Sequence, residues 1–184
     1  MRFWTSDLHF GHKNVIPYCN RPFKDVEEME AELIRRWNVL VGKEDTTIVL
    51  GDFAFYKPNK IKPILEELNG QKVLIKGNHD HSTTKLIGHP YFTMVTHHAE
   101  FFLANGEKIL ASHYPYKGEE ADDRYPERHQ EDKGLWLLHG HVHQHWKKKG
   151  RMINVGVDVW GYAPVSEDEI IKEIESARHL DVPK

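Results

Sequence analysis

The chain has 184 residues, of which 29% are charged and 39% apolar, and its formal charge is −3 at pH 7. This length fits one domain, residues 1–184, and the composition argues against intrinsic disorder. So small a net charge excludes an overall field that would attract nucleic acid or an anionic membrane, although a local basic patch would escape this argument.

The single cysteine and the N-terminal residues bear on the location of the protein. One cysteine, Cys19, cannot form an intrachain disulfide, so this feature gives no support to secretion. No apolar run approaches the ~18 residues of a membrane span, and the N-terminus lacks the basic and apolar segments of a signal peptide. We therefore expect a cytoplasmic protein without a membrane partner.

A short strand is predicted at residues 2–6, whose aromatic and β-branched side chains favour strands. It ends at the sequence DLHFGH, residues 7–12. Side chains two residues apart on a strand point to the same side, so Asp7 and His9 can bind one metal ion together at the strand end. His12 can line the substrate side of such a site, with a plain surface turn as the alternative.

Two helices are predicted in the first half of the chain. An apolar stripe with three- and four-residue spacing begins at Asp25, which can cap the helix together with Glu28, and Gly42 is a plausible end. A second helix covers residues 60–68, where Pro63 is tolerated only within the first turn.

Two further buried strands, 46–50 and 73–75, end at the sequences GD (51–52) and GNHD (77–80). Strands that alternate with helices are typical of a mostly parallel sheet, in which ligands bind beyond the carboxyl ends of the strands. All three polar sequences fall at such ends. The pattern therefore predicts one site built from several strand ends.

In the second half of the chain, predicted strands follow one another without helices between them, and we expect this half to be rich in antiparallel pairing. Strand-like segments lie at 92–95, 100–103 and 108–112, and Asn105-Gly106 between the last two favours a hairpin. Strands at 135–138 and 152–159 follow. A terminal helix is predicted at 166–177, with Ser166 as its N-cap and Glu169 three residues on.

Residues 117–133 form a long polar segment, which is either a lid beside the site or an inert excursion. Arg124 and Arg128 in this segment could bind a substrate phosphate. The basic run 147–149 could contact a phosphate backbone, although a solvated hairpin tip beside Gly150 is the simpler interpretation. Four histidines match no motif and are expected to be ordinary surface or core groups: His97, His98, His129 and His145.

Oxygen and nitrogen donors recur at the strand ends. A mixed set without thiolate favours manganese, iron, zinc or nickel over calcium. Seven donors are too many for one such ion and about right for two, if one carboxylate bridges and water completes each coordination shell. The candidate ligands are Asp7, His9, Asp52, Asn78, His113, His141 and His143.

The order of these sequences resembles a known family. DLH, GD, GNHD, a lone SH and GHVH, between residues 7 and 143, are similar to the DxH, GDxxD, GNH(D/E), H and GHxH pattern of the calcineurin-like metallophosphoesterases. The resemblance implies a four-layer α-β-β-α sandwich of two mixed sheets flanked by helices. It also implies hydrolysis of a phosphate ester by a water or hydroxide that bridges two divalent metals, manganese being preferred.

The resemblance also implies roles for individual residues. His79 would protonate the leaving group or stabilise the transition state, and Asp80 would either orient His79 or close the turn. One ion would be held by Asp7, His9 and His143 and the other by Asn78, His113 and His141, with Asp52 as the bridge. One position departs from the pattern: the second aspartate of GDxxD, which supports the catalytic histidine in the family, is Phe55 here.

The substrate is less closely defined. Similarity to small single-domain members favours a phosphodiester, with a phosphomonoester or a nucleic acid backbone as alternatives. A non-catalytic metal-binding interaction module ranks last, because every ligand position is filled. No feature specifies an oligomeric state. The predicted substrate contacts are His12, Asn78, Arg124 and Arg128.

Overall fold

The computed structural model of the protein describes residues 1–86, 88, 91–118 and 125–180. Over these residues the chain forms two five-stranded sheets with flanking helices. The strands are β1 (Arg2–Thr5), β2 (Thr46–Val49), β3 (Gln71–Ile75), β4 (Phe92–Thr96), β5 (His98–Phe102), β6 (Lys108–Ser112), β7 (Trp136–His139), β8 (Lys148–Lys149), β9 (Met152–Asn154) and β10 (Val165–Ser166). The helices are α1 (Val15–Tyr18), α2 (Val26–Leu40), α3 (Pro58–Glu67) and α4 (Glu167–Leu180), with short 3-10 helices at Thr83–Leu86, Pro126–Arg128 and Val157–Val159.

The first sheet has the order β10-β1-β2-β3-β4. β1 to β4 are mutually parallel, and β10 pairs with β1 in the antiparallel sense. Helices α2 and α3 connect the parallel strands, as the alternating pattern predicts. Because the carboxyl ends of parallel strands meet at one edge, residues 7–12, 51–55 and 77–80 come together there.

The second sheet has the order β5-β6-β7-β9-β8 and is also mixed. The hairpin at Asn105-Gly106 is confirmed, since β5 pairs antiparallel with β6 and Gly106 has a φ of 84°. The expectation of an antiparallel-rich second half is wrong in two respects. β4 joins the first sheet beside β3, and β6, β7 and β9 are parallel to one another. Long connections between β6, β7 and β9 permit this, because a parallel pair needs a connection of roughly a dozen residues or more.

The two sheets pack face to face, and their apolar side chains form the core. The predicted sandwich of two mixed sheets with flanking helices is confirmed. One cluster joins the first sheet to α2 and α3, and includes Phe3, Val49, Leu74, Leu33, Trp37, Ile61 and Leu65. A second cluster lies between the sheets and reaches α4, and includes Trp4, Ile48, Ile75, Ile109, Leu138, Ile153, Ile170 and Ile174.

The helix caps were predicted more accurately than the ends of the helices. Asp25 accepts the Glu28 N–H at 2.8 Å, and the Glu28 carboxylate accepts the Lys24 N–H at 2.7 Å. The expectation that Pro63 lies in the first turn is wrong, because α3 begins at Pro58, where a proline is favoured, and Pro63 is inside the helix. The last predicted strand is also too long, since β9 ends at Asn154 and a 3-10 helix follows.

Helix α4 begins as predicted and engages the basic run. Ser166 Oγ accepts the Glu169 N–H at 3.3 Å, and the Glu169 carboxylate accepts the Ser166 N–H at 3.1 Å, which is a reciprocal capping box. Lys147 and Lys148 each contact Glu173 of α4, at 2.9 and 3.0 Å. No helix among the described residues has both the length and the apolar character needed to cross a membrane.

Candidate metal centre

The predicted ligands lie at strand ends, where the backbone is strained. Seven non-glycine residues of the described chain have positive φ, and five of them are predicted ligands. Non-glycine residues rarely adopt this conformation, and such strain concentrates at functional sites. The five are Asp7 (57°), His9 (54°), Asp52 (52°), His141 (70°) and His143 (48°).

Three glycines of the motifs permit the close approach of the strand ends. A Cβ at Gly51 would lie 2.5 Å from His113 Nδ1, and a Cβ at Gly77 would lie 2.3 Å from Asp52 Oδ1. A Cβ at Gly140 would lie 2.5 Å from Asp7 Oδ2. Each contact would be a steric clash, so the glycines of GD, GNHD and GHVH are required for the ligands to converge.

Asp52 lies between the other ligands. Its Oδ2 atom is 3.6 Å from His9 Nε2, 3.5 Å from His113 Nε2 and 4.0 Å from His79 Nε2. Its Oδ1 atom accepts the backbone N–H of His79 at 2.9 Å. Burial, and then the charge of Asp80, raise the pKa of Asp52 to about 6. A buried carboxylate therefore faces several imidazole nitrogens, as a bridging ligand would.

The first ligand group consists of Asp7, His9 and His143, whose donor atoms all lie within 4.8 Å of one another. Asp7 is fully buried and accepts the His141 N–H at 3.0 and 3.2 Å. Neither ring nitrogen of His9 has a hydrogen-bond partner in the described chain. Burial lowers the pKa of His9 well below 6.5, so its ring is neutral and carries a free lone pair. A buried pair of unsatisfied nitrogens is costly unless a ligand engages it.

A buried ion pair supports the first ligand group from behind. Asp158 Oδ2 is 3.1 Å from His143 Nδ1, and Arg21 donates to both oxygens of Asp158 at 2.8 and 2.9 Å. Arg21 also donates to the Asp7 carbonyl at 2.7 Å. Burial lowers the pKa of His143, but the hydrogen bond to Asp158 and the charge of Asp7 outweigh it and raise the pKa to about 11. A carboxylate behind a histidine is the usual support of a metal ligand.

Arg21 and Asp158 were not predicted as residues of the site. They are 137 positions apart and belong to no motif. The two residues are linked by a buried ion pair. Neither their burial nor their contact can be recognised from a single sequence. Cys19 was assigned no role, and it lies close enough to His143 and Asp158 for the three donor atoms to fall within 4.8 Å.

The second ligand group consists of Asn78, His113 and His141. His113 Nδ1 is 2.7 Å from the Leu50 carbonyl and therefore carries the proton of the neutral ring. Burial is the main cause that lowers the pKa of His113 to about 4. Its Nε2 atom is thus an acceptor, yet it lies 3.2 Å from Asn78 Oδ1 and 3.2 Å from His141 Nδ1. Two acceptors, His113 Nε2 and Asn78 Oδ1, that lie 3.2 Å apart fit a shared cation.

Asp80 closes the turn and does not orient His79. Its carboxylate accepts the backbone N–H groups of Asp52, Phe53 and Gly77, at 2.8, 3.0 and 2.8 Å. It therefore links two of the strand ends that carry ligands. The His79 side chain is 39% exposed at the opening of the site. The second of the two alternatives for Asp80 thus agrees with the geometry.

Two walls flank the ligands. On one side His12 and Phe55 pack beside His79, with the His12 and Phe55 ring centroids 4.1 Å apart. On the other side the ring of Tyr114 lies 4.9 Å from both the His113 and the His141 rings. Tyr114 was not predicted as a site residue, although it directly follows the predicted ligand His113. Arg128 donates to the Tyr114 hydroxyl at 3.0 Å. Arg124, predicted as a substrate contact, lies outside the described residues.

Of the four histidines that match no motif, none belongs to either ligand group. His129 is buried, with Nδ1 2.9 Å from the Pro115 carbonyl and its ring 5.1 Å from that of Tyr114. His97, His98 and His145 belong to neither ligand group. The expected structural roles of these residues stay predictions. The seven predicted ligands, by contrast, form one continuous cluster in which two carboxylates, one amide and four imidazoles fit divalent metal ions.

Comparison with known proteins agrees with this geometry. The chain matches the calcineurin-like phosphoesterase superfamily domain over residues 4–161. It is 37% identical to an uncharacterized protein of Methanocaldococcus jannaschii over 185 residues, which covers 96% of this chain and 92% of that protein. It is 36% identical to the gene 66 protein of a Mycobacterium phage over 194 residues, with 91% of each chain covered.

A solved structure has the same fold. The crystal structure of a protein of unknown function from Aquifex aeolicus superposes with a TM-score of 0.74 at 31% identity, and the match covers 94% of this chain and 98% of that chain. The family and the clustered ligands together support a metal-dependent phosphoesterase. The chain belongs to the calcineurin-like phosphoesterase superfamily.

Proposed function

We propose that the protein hydrolyses phosphodiesters with the help of two divalent metal ions. The observation that carries the proposal is the position of Asp52, whose Oδ2 atom lies 3.6 Å from His9 of the first ligand group and 3.5 Å from His113 of the second. One carboxylate is thereby shared by two sets of donors. Two bound cations supply a clamp for the phosphate, a more acidic water and charge stabilisation for the attacking and leaving oxygens.

The residues of the chain have separate tasks in this proposal. The two ligand groups and Asp52 hold the ions. His79 holds a proton at Nε2, which lies 4.0 Å from Asp52 Oδ2 and can pass to the leaving oxygen of the ester. Asp80 keeps the backbone of Asp52 and Gly77 in place, so that the carboxylate and His79 keep their relative position.

The substrate contacts remain proposals of different strength. Arg128 is supported by its hydrogen bond to Tyr114, which brings a guanidinium next to the second ligand group. Asn78 lies among the ligands and His12 lies in the wall beside His79. For Arg124 the support is the sequence alone. A guanidinium suits a phosphate because its planar donors match two phosphate oxygens.

The preference for a diester rests on similarity to small single-domain members of the family. Manganese is the proposed metal, because nitrogen and oxygen ligands without thiolate suit it, and iron, zinc and nickel are the alternatives. A cytoplasmic location likewise stays a prediction.

The nuclease alternative loses its main support. Lys147 and Lys148 pair with Glu173, so part of the charge that was expected to contact a phosphate backbone is neutralised within the protein. Binding to DNA or RNA should therefore be weak and show little dependence on salt. A steep fall in nucleic acid affinity between 50 and 200 mM salt would restore this alternative.

To test the proposal, metal content and turnover are measured on the same protein samples. Protein stripped with a chelator is reconstituted with manganese, and bound metal is counted before hydrolysis of bis(p-nitrophenyl) phosphate and p-nitrophenyl phosphate is measured. We expect two equivalents of metal and faster hydrolysis of the diester. Asp132→Ala removes an exposed carboxylate that pairs with Arg151 and serves as the control. Two bound equivalents with neither compound cleaved would favour the non-catalytic module instead.

A further inference from the structure

Phe55 is an exposed aromatic residue at the opening of the metal centre. It is 44% exposed and occupies the position where the GDxxD pattern has its second aspartate. Its ring centroid lies 4.5 Å from that of His79 and 4.1 Å from that of His12. The rings of His12 and Phe55 are nearly parallel, at 10°, and those of Phe55 and His79 are tilted by 41°.

No carboxylate of the described chain performs the supporting role of the missing aspartate. The Asp80 carboxylate is occupied by three backbone N–H groups. The Asp52 carboxylate is 4.0 Å from His79 Nε2, which is beyond hydrogen-bond distance, and it faces the ligands as well. Apart from the charge attraction between Asp52 and a protonated His79, the side-chain contacts of His79 in the described chain are with the rings of Phe55, His9 and His12.

Phe55 can serve as a fixed surface because its own backbone is held. The Phe55 N–H donates to the Phe10 carbonyl at 2.7 Å, and the Phe10 N–H donates to the Phe53 carbonyl at 3.0 Å. Phe10 and Ala54 form an isolated parallel bridge. These backbone hydrogen bonds hold the Phe55 ring in a fixed position. The ring stays at the surface of the site and is not buried in the core, and an exposed apolar group of this kind often has a function.

We propose that Phe55 is a positioning residue, which holds the His79 imidazole toward the leaving group by ring packing in place of the hydrogen bond that an aspartate would supply. The inference rests on the proposed function. His12 packs on Phe55 and backs it, so the three residues act as one aromatic cluster. Aromatic pairs at these centroid distances have a preferred mutual geometry and therefore orient each other.

The reaction step served by this orientation is proton transfer. The oxygen of a water forms a bond to phosphorus, the bond from phosphorus to the leaving oxygen breaks, and the His79 proton passes to that oxygen. A proton of the attacking water then replaces the one that His79 gave up. A poor leaving group needs this proton, whereas p-nitrophenolate leaves without it. The effect of a misplaced His79 should therefore depend on the leaving group.

The kinetic test uses aryl and alkyl phosphodiesters with leaving groups of increasing basicity. For Phe55→Ala we expect kcat to fall roughly 10- to 100-fold with the most basic leaving group and to change little with p-nitrophenolate, since a misplaced group costs about that much. Phe55→Tyr should keep the activity of the wild type. With the most basic leaving group, kcat of His79→Ala should fall roughly 10²–10⁴-fold while the variant keeps its metal, and with p-nitrophenolate it should change little. Adding Phe55→Ala to His79→Ala should change nothing further.

The control is Phe102→Ala, which removes an equally large exposed ring on β5 and should leave every rate unchanged. An equal loss of kcat across all leaving groups, or a rise in KM confined to aromatic substrates, would overturn the proposal, the latter because Phe55 would then bind substrate. If the wild type hydrolyses the diesters and Phe55→Ala matches it throughout, this inference fails while the proposed function stands.

A measurement without turnover completes the test. In the metal-free protein, NMR should detect contacts between the Phe55 ring and the His79 imidazole, and the order of the imidazole should fall in Phe55→Ala but not in Phe102→Ala. An imidazole that stays equally ordered without Phe55 would contradict the proposal even if the wild type hydrolysed no ester.

Discussion

The two ligand groups differ in charge and in the way they are supported. The first group contains the carboxylate of Asp7, and the Arg21–Asp158 ion pair lies behind His143. The second group contains an amide and two imidazoles, and its His113 is fixed by the neutral carbonyl of Leu50. Both share Asp52. The first group therefore contains a carboxylate of its own, while the second contains none and lies beside the carboxylates of Asp52 and Asp7, whose donor atoms are within 4.8 Å of that of His113.

This difference implies that the two ions of the proposed centre would not be equivalent. Affinity for a hard divalent cation rises with the charge of its ligands and with the support given to them. We expect the ion at the first group to bind more tightly and the ion at the second group to leave first in limiting chelator.

Asp52→Ala removes the carboxylate that lies between the two ligand groups. Two cations would then repel each other across an uncompensated gap, so we expect metal content to collapse and turnover to fall by roughly 10⁴-fold or more, which is within the acceleration that enzymes achieve. Metal analysis and diester hydrolysis are measured on the same sample, with Asp132→Ala as the control. Two retained equivalents in Asp52→Ala would show that Asp52 is not the bridge.

Asp158→Asn acts on the first group alone. It keeps the shape of the side chain but removes the charge behind His143, and loss of such support typically lowers metal affinity about 10- to 100-fold. Calorimetric titration should show weaker binding of the tight ion and an unchanged weak ion. Equal weakening of both would mean that the two groups are not independently supported.

The pH should also act on the two groups unequally. In the metal-free protein the raised pKa of His143, about 11, means that its proton must leave when the ion binds, so affinity at the first group should rise about tenfold per pH unit between pH 6 and 8. The pKa of His113 is about 4, so it is already deprotonated in that range and adds no such dependence at the second group. Calorimetry in buffers of different ionisation enthalpy counts the released proton.

Local sequence was sufficient to place the candidate ligands at strand ends, but it did not reveal the residues that support them from behind. Each ligand follows directly from a strand end, and the strands are recognisable because β-branched runs such as TTIV stop at a glycine and a polar residue. The Arg21–Asp158 pair depends on a contact between residues 137 positions apart, and no periodicity marks it. Pairing partners such as β4 beside β3 are likewise decided by packing between distant segments.

The smallest expected effect is on the stability of the metal-free protein, and it depends on the charge of Asp52 alone. Its pKa is raised from 3.8 to about 6, chiefly by burial. Below about pH 4 the Asp52 carboxyl is protonated in both the folded and the unfolded chain, so its burial does not lower the free energy of unfolding. As the pH rises toward 6 only the unfolded chain ionises, so the metal-free protein loses stability, and above pH 6 the full cost is present.

Asp52→Asn should therefore stabilise the metal-free protein at pH 7 by roughly 1–3 kcal/mol, at about 1.4 kcal/mol per pH unit of displacement. The amide oxygen can still accept the His79 N–H. Thermal unfolding in chelator should show a higher Tm for Asp52→Asn than for the wild type, with a difference that shrinks as the pH approaches 4. With saturating manganese the order should reverse, because the wild type gains stability from bound metal. A variant less stable than the wild type in chelator would mean that burial of this carboxylate is already compensated without metal.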